Sequence, residues 1–350
     1  MSLWILEKPG RRRRAVRKND VYFFDRPAWV HTYSACVGKK EGEGPLGKCF
    51  DVVAQDDRFG QETWEQAERT MVQTSLCGAI QKARLQPGEI GCILGGDLLN
   101  QCVSTSYAVR DLGTRFFGLY GACSTMAESL ILGSALVAGG MEDRVLCTAS
   151  SHFCSAERQY RYPLQYGGQR TPTAQWTATA SGTVMLTAER EGGRVAVTRA
   201  MAGRIFDPGV TDAANMGAAM AQAAFETLRG YFATTGEDPA AYDLIVTGDL
   251  AAVGRDVVLE LAREEGIDFQ GRYTDCGLLL YDREAQDVHA GGSGCGCSAA
   301  VLCGSILPDL ERGRLRRVLF CGTGALLSPL TTSQGESIPG ICHLVCLEVI

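Results

Sequence analysis

The sequence predicts an α/β fold made of two similar halves, each with a mostly parallel mixed sheet. Short apolar runs alternate with longer helical patterns along the chain, which is typical of strands joined by helices. The same order of segments then occurs a second time. The chain has 350 residues, of which 45% are hydrophobic, so it can bury a large core.

In the first half, loop, helix and strand patterns follow one another. Residues 40–60 are rich in Gly, Lys and Asp and indicate a loop. A helix is predicted over 61–85, where apolar side chains recur at helical spacing, and a short one over 106–112. The pattern over 125–138 is apolar nearly all round and predicts a buried helix. Strands are predicted at residues 90–94, 116–120, 145–149 and 183–187.

The second half repeats this order. Gly96-Asp97-Leu98 and Gly248-Asp249-Leu250 each follow an apolar run, and the segment 121–149 is echoed by 292–324. A further strand is predicted at 278–281. Two echoes in the same order indicate an internal duplication about a pseudo-twofold axis. We place the halves at residues 1–192 and 193–350.

The charge distribution limits the kinds of partner. The chain has 34 basic and 40 acidic residues, which argues against nucleic-acid binding through a basic surface. Residues 1–18 form a basic arm that includes Arg11–Arg14. Two interpretations of the arm stay open, a solvated tail and a contact with an anionic membrane or partner. There is no run of 18 apolar residues and no secretory signal pattern, so we expect no transmembrane segment and a location on the cytoplasmic side.

The fifteen cysteines do not suggest a metal site. No CxxC element occurs, and the chain has four histidines. Without a secretory signal the thiols are expected to be reduced, and most are interpreted as small core residues. We therefore predict no bound metal and no cofactor.

Cys123 is the strongest candidate for chemistry. It lies in Tyr120-Gly-Ala-Cys-Ser-Thr, which joins a predicted strand to the buried helix. Free backbone amides at a helix N-terminus favour a thiolate or bind an anion, so Cys123 and Ser124 fit a nucleophile site or an anion site. The alternative is one more buried thiol.

Segments spread over most of the chain carry a family resemblance: Gly96–Gln101, Gly121–Thr125, Ser150–His152, Ala156–Gln159, Arg161–Pro163, Tyr166–Gln169, Asp275–Leu278, Ala290–Cys295 and Thr323–Pro329. With them the chain resembles the thiolase superfamily, and within it the family of stage V sporulation protein AD. The resemblance implies a thiolase-like five-layer α/β/α/β/α fold and a homodimer. It also implies a role in endospore formation: binding of dipicolinic acid (pyridine-2,6-dicarboxylic acid) for its uptake and release, peripherally at the spore inner membrane with membrane-embedded channel proteins.

The catalytic histidines of the superfamily are not found where the resemblance would put them. A ketoacyl synthase would have a histidine where this chain has Asp249, and a thiolase would have one in the turn that ends at Cys295. An aspartate beside a thiol raises its pKa. We therefore expect a non-catalytic binding pocket. The alternative is an acyl-CoA-dependent condensing enzyme or acyltransferase with Cys123 as nucleophile and His289 or His152 as base.

The pocket is predicted where the Cys123 helix faces the turn over 291–295, with Ser151 and His152 at the rim. Hydroxyl, amide and arginine donors would hold the two carboxylates of the ligand. Whether calcium accompanies the ligand stays open. The predicted ligand-binding residues are Cys123, Ser124, Ser151, His152, Arg161, Asp249, Ser293, Gly294 and Cys295.

Overall fold

The computed structural model describes residues 15–160 and 169–350. Most of its strands belong to one large sheet. The strands are β1 (Ala15–Lys18), β2 (Val21–Val37), β3 (Val52–Val53), β4 (Cys92–Asp97), β5 (Phe116–Gly118), β6 (Arg144–Ser151), β7 (Trp176–Thr177), β8 (Ala180–Thr187), β9 (Val195–Met201), β10 (Leu244–Thr247), β11 (Tyr273–Asp275), β12 (Gly292–Ser293), β13 (Arg317–Ala325) and β14 (Gly340–Val349).

The helices differ widely in length. Thr63 starts the helix at Trp64 with a capping box, in which its hydroxyl accepts from Gln66 N at 3.2 Å. A five-residue π-helix over Leu302–Ile306 connects α9 to α10. The helices are α1 (Lys39–Gly42), α2 (Trp64–Ala83), α3 (Val103–Arg110), α4 (Thr125–Gly139), α5 (Phe153–Tyr160), α6 (Met216–Thr235), α7 (Ala251–Glu264), α8 (Cys276–Leu280), α9 (Cys295–Val301), α10 (Leu307–Glu311) and α11 (Pro329–Ser333).

The large sheet repeats one strand pattern from each end toward its middle. Its order is β11-β10-β13-β14-β9-β2-β8-β6-β4-β5. The pairs β5–β4 and β4–β6 are parallel and the pairs β6–β8 and β8–β2 antiparallel. The pairs β11–β10, β10–β13, β13–β14 and β14–β9 show the same sequence of directions. The predicted duplication of the fold is therefore visible in the strand pairing, whereas the exact boundary at 192/193 stays a prediction.

Three hydrophobic cores hold the five layers together, because the central core contacts strands of both halves around the middle helices α4 and α9. Alternate residues of a strand point to opposite faces. In β6, Val145 and Cys147 join the central core with α4 and α9, whereas Leu146 joins an outer core with α2 and α3. In β13, Phe320 faces the same central core and Leu319 faces a second outer core with α6 and α7. The predicted α/β/α/β/α layering follows from this alternation.

Some element predictions need correction. The loop predicted over 40–60 contains the short elements α1 and β3. The short helix predicted at 106 begins at Val103. Residues 278–281 are not a strand: α8 occupies most of this segment, because the Asp275 side chain caps it by accepting from Gly277 N at 2.9 Å. An apolar run of four residues cannot distinguish a strand from a buried helical turn.

The helical stretch over residues 122–139 is long and apolar enough to cross a membrane by length and composition, and 67% of it is buried within the fold. That stretch contains α4, which contacts strands of both halves. Its apolar character is therefore explained by its place in the central layer.

Candidate functional site

The turn before α4 places Cys123 at the start of the central helix. Ala122 adopts a left-handed backbone conformation with φ 51°, and residues 122–124 form a single 3₁₀ turn that leads into α4. Strand β13 passes close behind this turn. A Cβ atom on Gly324 would lie 2.8 Å from the Gly121 carbonyl oxygen and 3.1 Å from Ser124 N. A glycine is therefore required for this close approach.

Asp249 is the polar centre behind Cys123. Its carboxylate accepts from Thr323 Oγ1 at 2.8 Å, from Ser293 Oγ at 3.2 Å and from Gly294 N at 3.0 Å. The Cys123 thiol also lies next to this carboxylate and interacts with it electrostatically. Gly294 has φ 95°, a conformation that favours glycine. The turn at 292–295 and the Cys123 turn thus meet at one buried carboxylate.

The electrostatics of this contact oppose thiolate formation. Burial raises the pKa of the Cys123 thiol well above its ordinary value, and the neighbouring Asp249 carboxylate raises it further. Burial also raises the pKa of Asp249 itself. Reactive cysteines instead lie near cations or histidines that lower the thiol pKa. The neutral thiol is the favoured state of Cys123.

A cavity of about 270 Å³ opens in front of Cys123. Its walls are mostly apolar, and no Arg, Lys or His belongs to the lining formed by the described residues. The Tyr120 and Tyr160 hydroxyls hydrogen-bond to each other and approach the Leu98 carbonyl. The lining consists of Leu98, Tyr120, Ala122, Cys123, Ala156, Tyr160, Thr177, Met216, Ser293, Ala325, Leu326, Leu327 and Ser328.

The predicted site residues divide into two groups. Cys123 and Ser293 line the cavity, and Asp249 and Gly294 lie directly behind them. Three others are buried outside the lining, each donating to a backbone carbonyl: Ser124 to Gly121 at 2.6 Å, Ser151 to Ala178 at 2.7 Å and Cys295 to Ser150 at 2.8 Å. Arg161 lies outside the described residues.

The rim position predicted for His152 needs correction. His152 is buried, its Nε2 lies 2.7 Å from the Asp57 carbonyl oxygen, and its Nδ1 accepts from Cys154 N at 3.2 Å. Burial lowers the pKa of the imidazole and favours its neutral form. Both ring nitrogens are therefore occupied by backbone groups, and the side chain does not line the cavity.

His289 also lies away from the thiol. Its Nδ1 is 2.6 Å from the Thr171 carbonyl oxygen and its Nε2 is 3.1 Å from Asp287. Neither histidine considered as a base for Cys123 is in contact with it. The arrangement can bind a ligand beside a neutral thiol, but it supplies no adjacent imidazole for proton transfer.

Several lining residues were missed by sequence reasoning. The segment Thr323–Pro329 did carry a signal, because it belongs to the segments that match the family, and its residues 325–328 form one wall. Tyr160 and Met216 carried none, since each is an ordinary helical residue in sequence. Their role depends on the packing of α5 and α6 around the Cys123 turn.

A second buried carboxylate, Glu68, lies on α2. It accepts from Ser104 at 3.2 Å, Ser150 at 3.0 Å and Ser155 at 3.1 Å. Burial and the nearby Asp97 raise its pKa.

Within residues 15–160 and 169–350, no group of three His, Cys, Asp or Glu side chains is arranged to hold a metal ion.

Known structures share this fold at low sequence identity. OleA from Xanthomonas campestris, in a structure with bound lauric acid and lauroyl-CoA, has a TM-score of 0.58 at 13% identity. The 3-oxoacyl-[acyl-carrier-protein] synthase III from Aquifex aeolicus VF5 has a TM-score of 0.54 at 13% identity. AbyA1, a tetronic acid condensing enzyme, has a TM-score of 0.56 at 15% identity. Each comparison covers 92% of this chain and 99% of the other. These similarities confirm the thiolase-like fold and carry no statement about activity.

Sequence comparison is more specific. The family model of Stage V sporulation protein AD matches residues 18–348. Stage V sporulation protein AD of Bacillus subtilis (strain 168) is 42% identical over 327 residues, covering 93% of this chain and 96% of that protein. This chain therefore belongs to the stage V sporulation protein AD family.

Proposed function

We propose that this sporulation protein binds dipicolinic acid in the cavity in front of Cys123 and does not convert it chemically. The proposed role is in uptake of dipicolinate, free or as its calcium salt, into the developing spore and in its release. The observation that carries the proposal is a mostly apolar cavity of about 270 Å³ at the start of a central helix, beside a thiol in its neutral state.

The cavity suits a flat aromatic acid. Leu98, Met216 and Leu326 provide apolar surface for a ring. The start of α4 lies beside Cys123. The Ser124 and Thr125 amides donate within the preceding 3₁₀ turn, and the helix dipole favours a carboxylate at this end. One carboxylate of the ligand would therefore face the Cys123 turn, with the ring between the apolar walls.

The same site argues against acyl transfer. A condensing enzyme needs a thiolate and a base that accepts its proton. Here the thiol faces Asp249, which raises its pKa, and His152 and His289 are held by backbone carbonyls elsewhere. If the protein is incubated with acetyl-CoA, a stable acyl adduct on Cys123 in mass spectrometry would favour the enzyme instead.

We also propose a homodimer, held peripherally at the spore inner membrane by membrane-embedded partners. Strand β5 is an edge of the large sheet. On this strand Phe117 is 53% exposed, and Met141, 73% exposed, precedes Glu142, which pairs with Arg115 just before the strand. An apolar edge strand is a favourable surface for pairing with a second copy.

Titration calorimetry with dipicolinic acid tests the binding proposal. Cys123→Ser should largely retain affinity, because a hydroxyl can replace the neutral thiol. Cys123→Trp should abolish binding, because the indole fills the cavity. Cys77→Trp is the matched control, since Cys77 is exposed on α2. If folded Cys123→Trp bound dipicolinate as tightly as the parent, this cavity would not be the site. Repeating the titration with calcium separates the free acid from its calcium complex.

A further inference from the structure

The hydrogen-bond donors in the cavity wall are held by acceptors behind them. The Ser293 hydroxyl donates to Asp249 at 3.2 Å, and the Cys123 thiol lies next to the same carboxylate. The Thr177 hydroxyl donates to Glu157 at 2.9 Å. An anion in this cavity needs donors, but two hydroxyl groups of its lining donate to carboxylates and the Cys123 thiol lies next to one of them.

The charge behind this wall is negative. The titratable groups that face Asp249 are thiols and one further carboxyl group, with no described cation among them. Burial raises the pKa of each thiol well above its ordinary value, so the thiols stay neutral and the charge comes from the carboxyl groups. These groups are Cys123, Cys276, Cys295, Cys297 and Asp275.

We propose that binding of an aromatic dicarboxylate in this cavity is coupled to the uptake of one proton by Asp249. The proton comes from solvent and converts the carboxylate to the neutral acid. The thiol of Cys123 and the hydroxyl of Ser293 are then released from an ionised acceptor and can donate to the ligand. This coupling rests on the proposed function, and it makes Asp249 a positioning residue that sets when the donors are available.

The neutral acid is compatible with the surrounding contacts. Gly294 N, at 3.0 Å, can still donate to Asp249 Oδ2. The new O–H on Oδ1 can donate to Thr323 Oγ1 at 2.8 Å, which then accepts from it and from Asp249 N and turns its own proton away from Asp249. An asparagine side chain can adopt the same arrangement, with its amide nitrogen toward Thr323. Asp249→Asn therefore mimics the protonated state, reversing the hydrogen bond with Thr323 and keeping the one from Gly294 N.

The test is titration calorimetry with dipicolinic acid between about pH 6 and 8, where ordinary carboxylates of the ligand stay ionised. Each pH is repeated in buffers of different ionisation enthalpy, which counts the protons taken up. The parent should take up a proton, and its affinity should fall by up to about tenfold per pH unit as the pH rises. Asp249→Asn should show no uptake and should hold its affinity at high pH.

Asp275→Asn is the matched control. Asp275 is also fully buried, but it accepts from Thr247, Leu250 N and Ala251 N, none of which lines the cavity. This variant should keep the proton uptake. Ser293→Ala tests the donor itself. This variant should bind dipicolinic acid more weakly, because one donor is lost, while the pH dependence of the affinity remains.

Three results would overturn the coupling: no proton uptake by the parent, unchanged uptake in Asp249→Asn, or uptake lost in Asp275→Asn alone. Each of them leaves the proposed binding site in place. Absence of dipicolinate binding by the parent at every pH would overturn the proposed function, and the coupling with it.

Discussion

Gly324→Ala should destabilise the protein by displacing the turn that carries Cys123. The new Cβ would lie 2.8 Å from the Gly121 carbonyl oxygen and 3.1 Å from Ser124 N. Both neighbours are backbone atoms, so no flexible side chain can move aside. Carbon and oxygen atoms in contact prefer about 3.3 Å or more, and the turn must therefore retreat from β13 by about half an ångström.

The magnitude follows from two opposing effects. Forcing an extra methyl group into a packed interior costs about 1–3 kcal/mol. Replacing a glycine also lowers the conformational entropy of the unfolded chain, which raises the free energy of unfolding by about 0.4–1 kcal/mol. The expected net change is a loss of about 1–2 kcal/mol in the free energy of unfolding. Affinity for dipicolinic acid should fall as well, because Cys123 moves with the turn.

Urea unfolding of the parent and the variant measures this change, and Gly88→Ala provides the matched control. A Cβ on Gly88 meets no atom within 4 Å, so only the effect on the unfolded chain remains and stability should stay level or rise slightly. If Gly324→Ala proved as stable as Gly88→Ala, the close approach of β13 to the turn would not constrain the site.

Two further predictions concern a buried acid and the sheet edge. Burial raises the pKa of Glu68, so the folded chain keeps a proton that the unfolded chain releases, and stability should fall as pH rises from about 4.5 toward the raised value. Glu68→Gln should flatten this dependence, measured by urea unfolding at about pH 5 and pH 8; an unchanged slope would mean that Glu68 is not its source. In light scattering at micromolar concentration the parent should be a dimer, and Phe117→Lys should shift it toward monomer; a monomeric parent would contradict pairing through β5.

Local patterns in the sequence were sufficient for the main elements and for part of the site. The helical spacing after residue 61 and the apolar stretch after Thr125 predicted α2 and α4, because helix periodicity is a property of neighbouring residues. The echo of Gly96-Asp-Leu in Gly248-Asp-Leu indicated two halves and drew attention to Asp249. The short turn before α4 likewise identified Cys123.

Tertiary structure alone decided how the cavity at Cys123 is completed. Sequence and family resemblance predicted Asp249 and Ser293 there, whereas Thr323, which bonds to Asp249, and Tyr160 and Met216, which close the cavity from two other helices, were not predicted. Contacts between distant segments depend on how the layers pack, and no local periodicity encodes them.

The same reason explains why His152 was misplaced. It follows the end of β6 in sequence, as residues of α/β sites often do, but both of its ring nitrogens face backbone groups in the folded chain. Sequence determined that a histidine stands at this edge of the sheet. Only packing determined that its side chain turns toward Asp57 and away from the cavity.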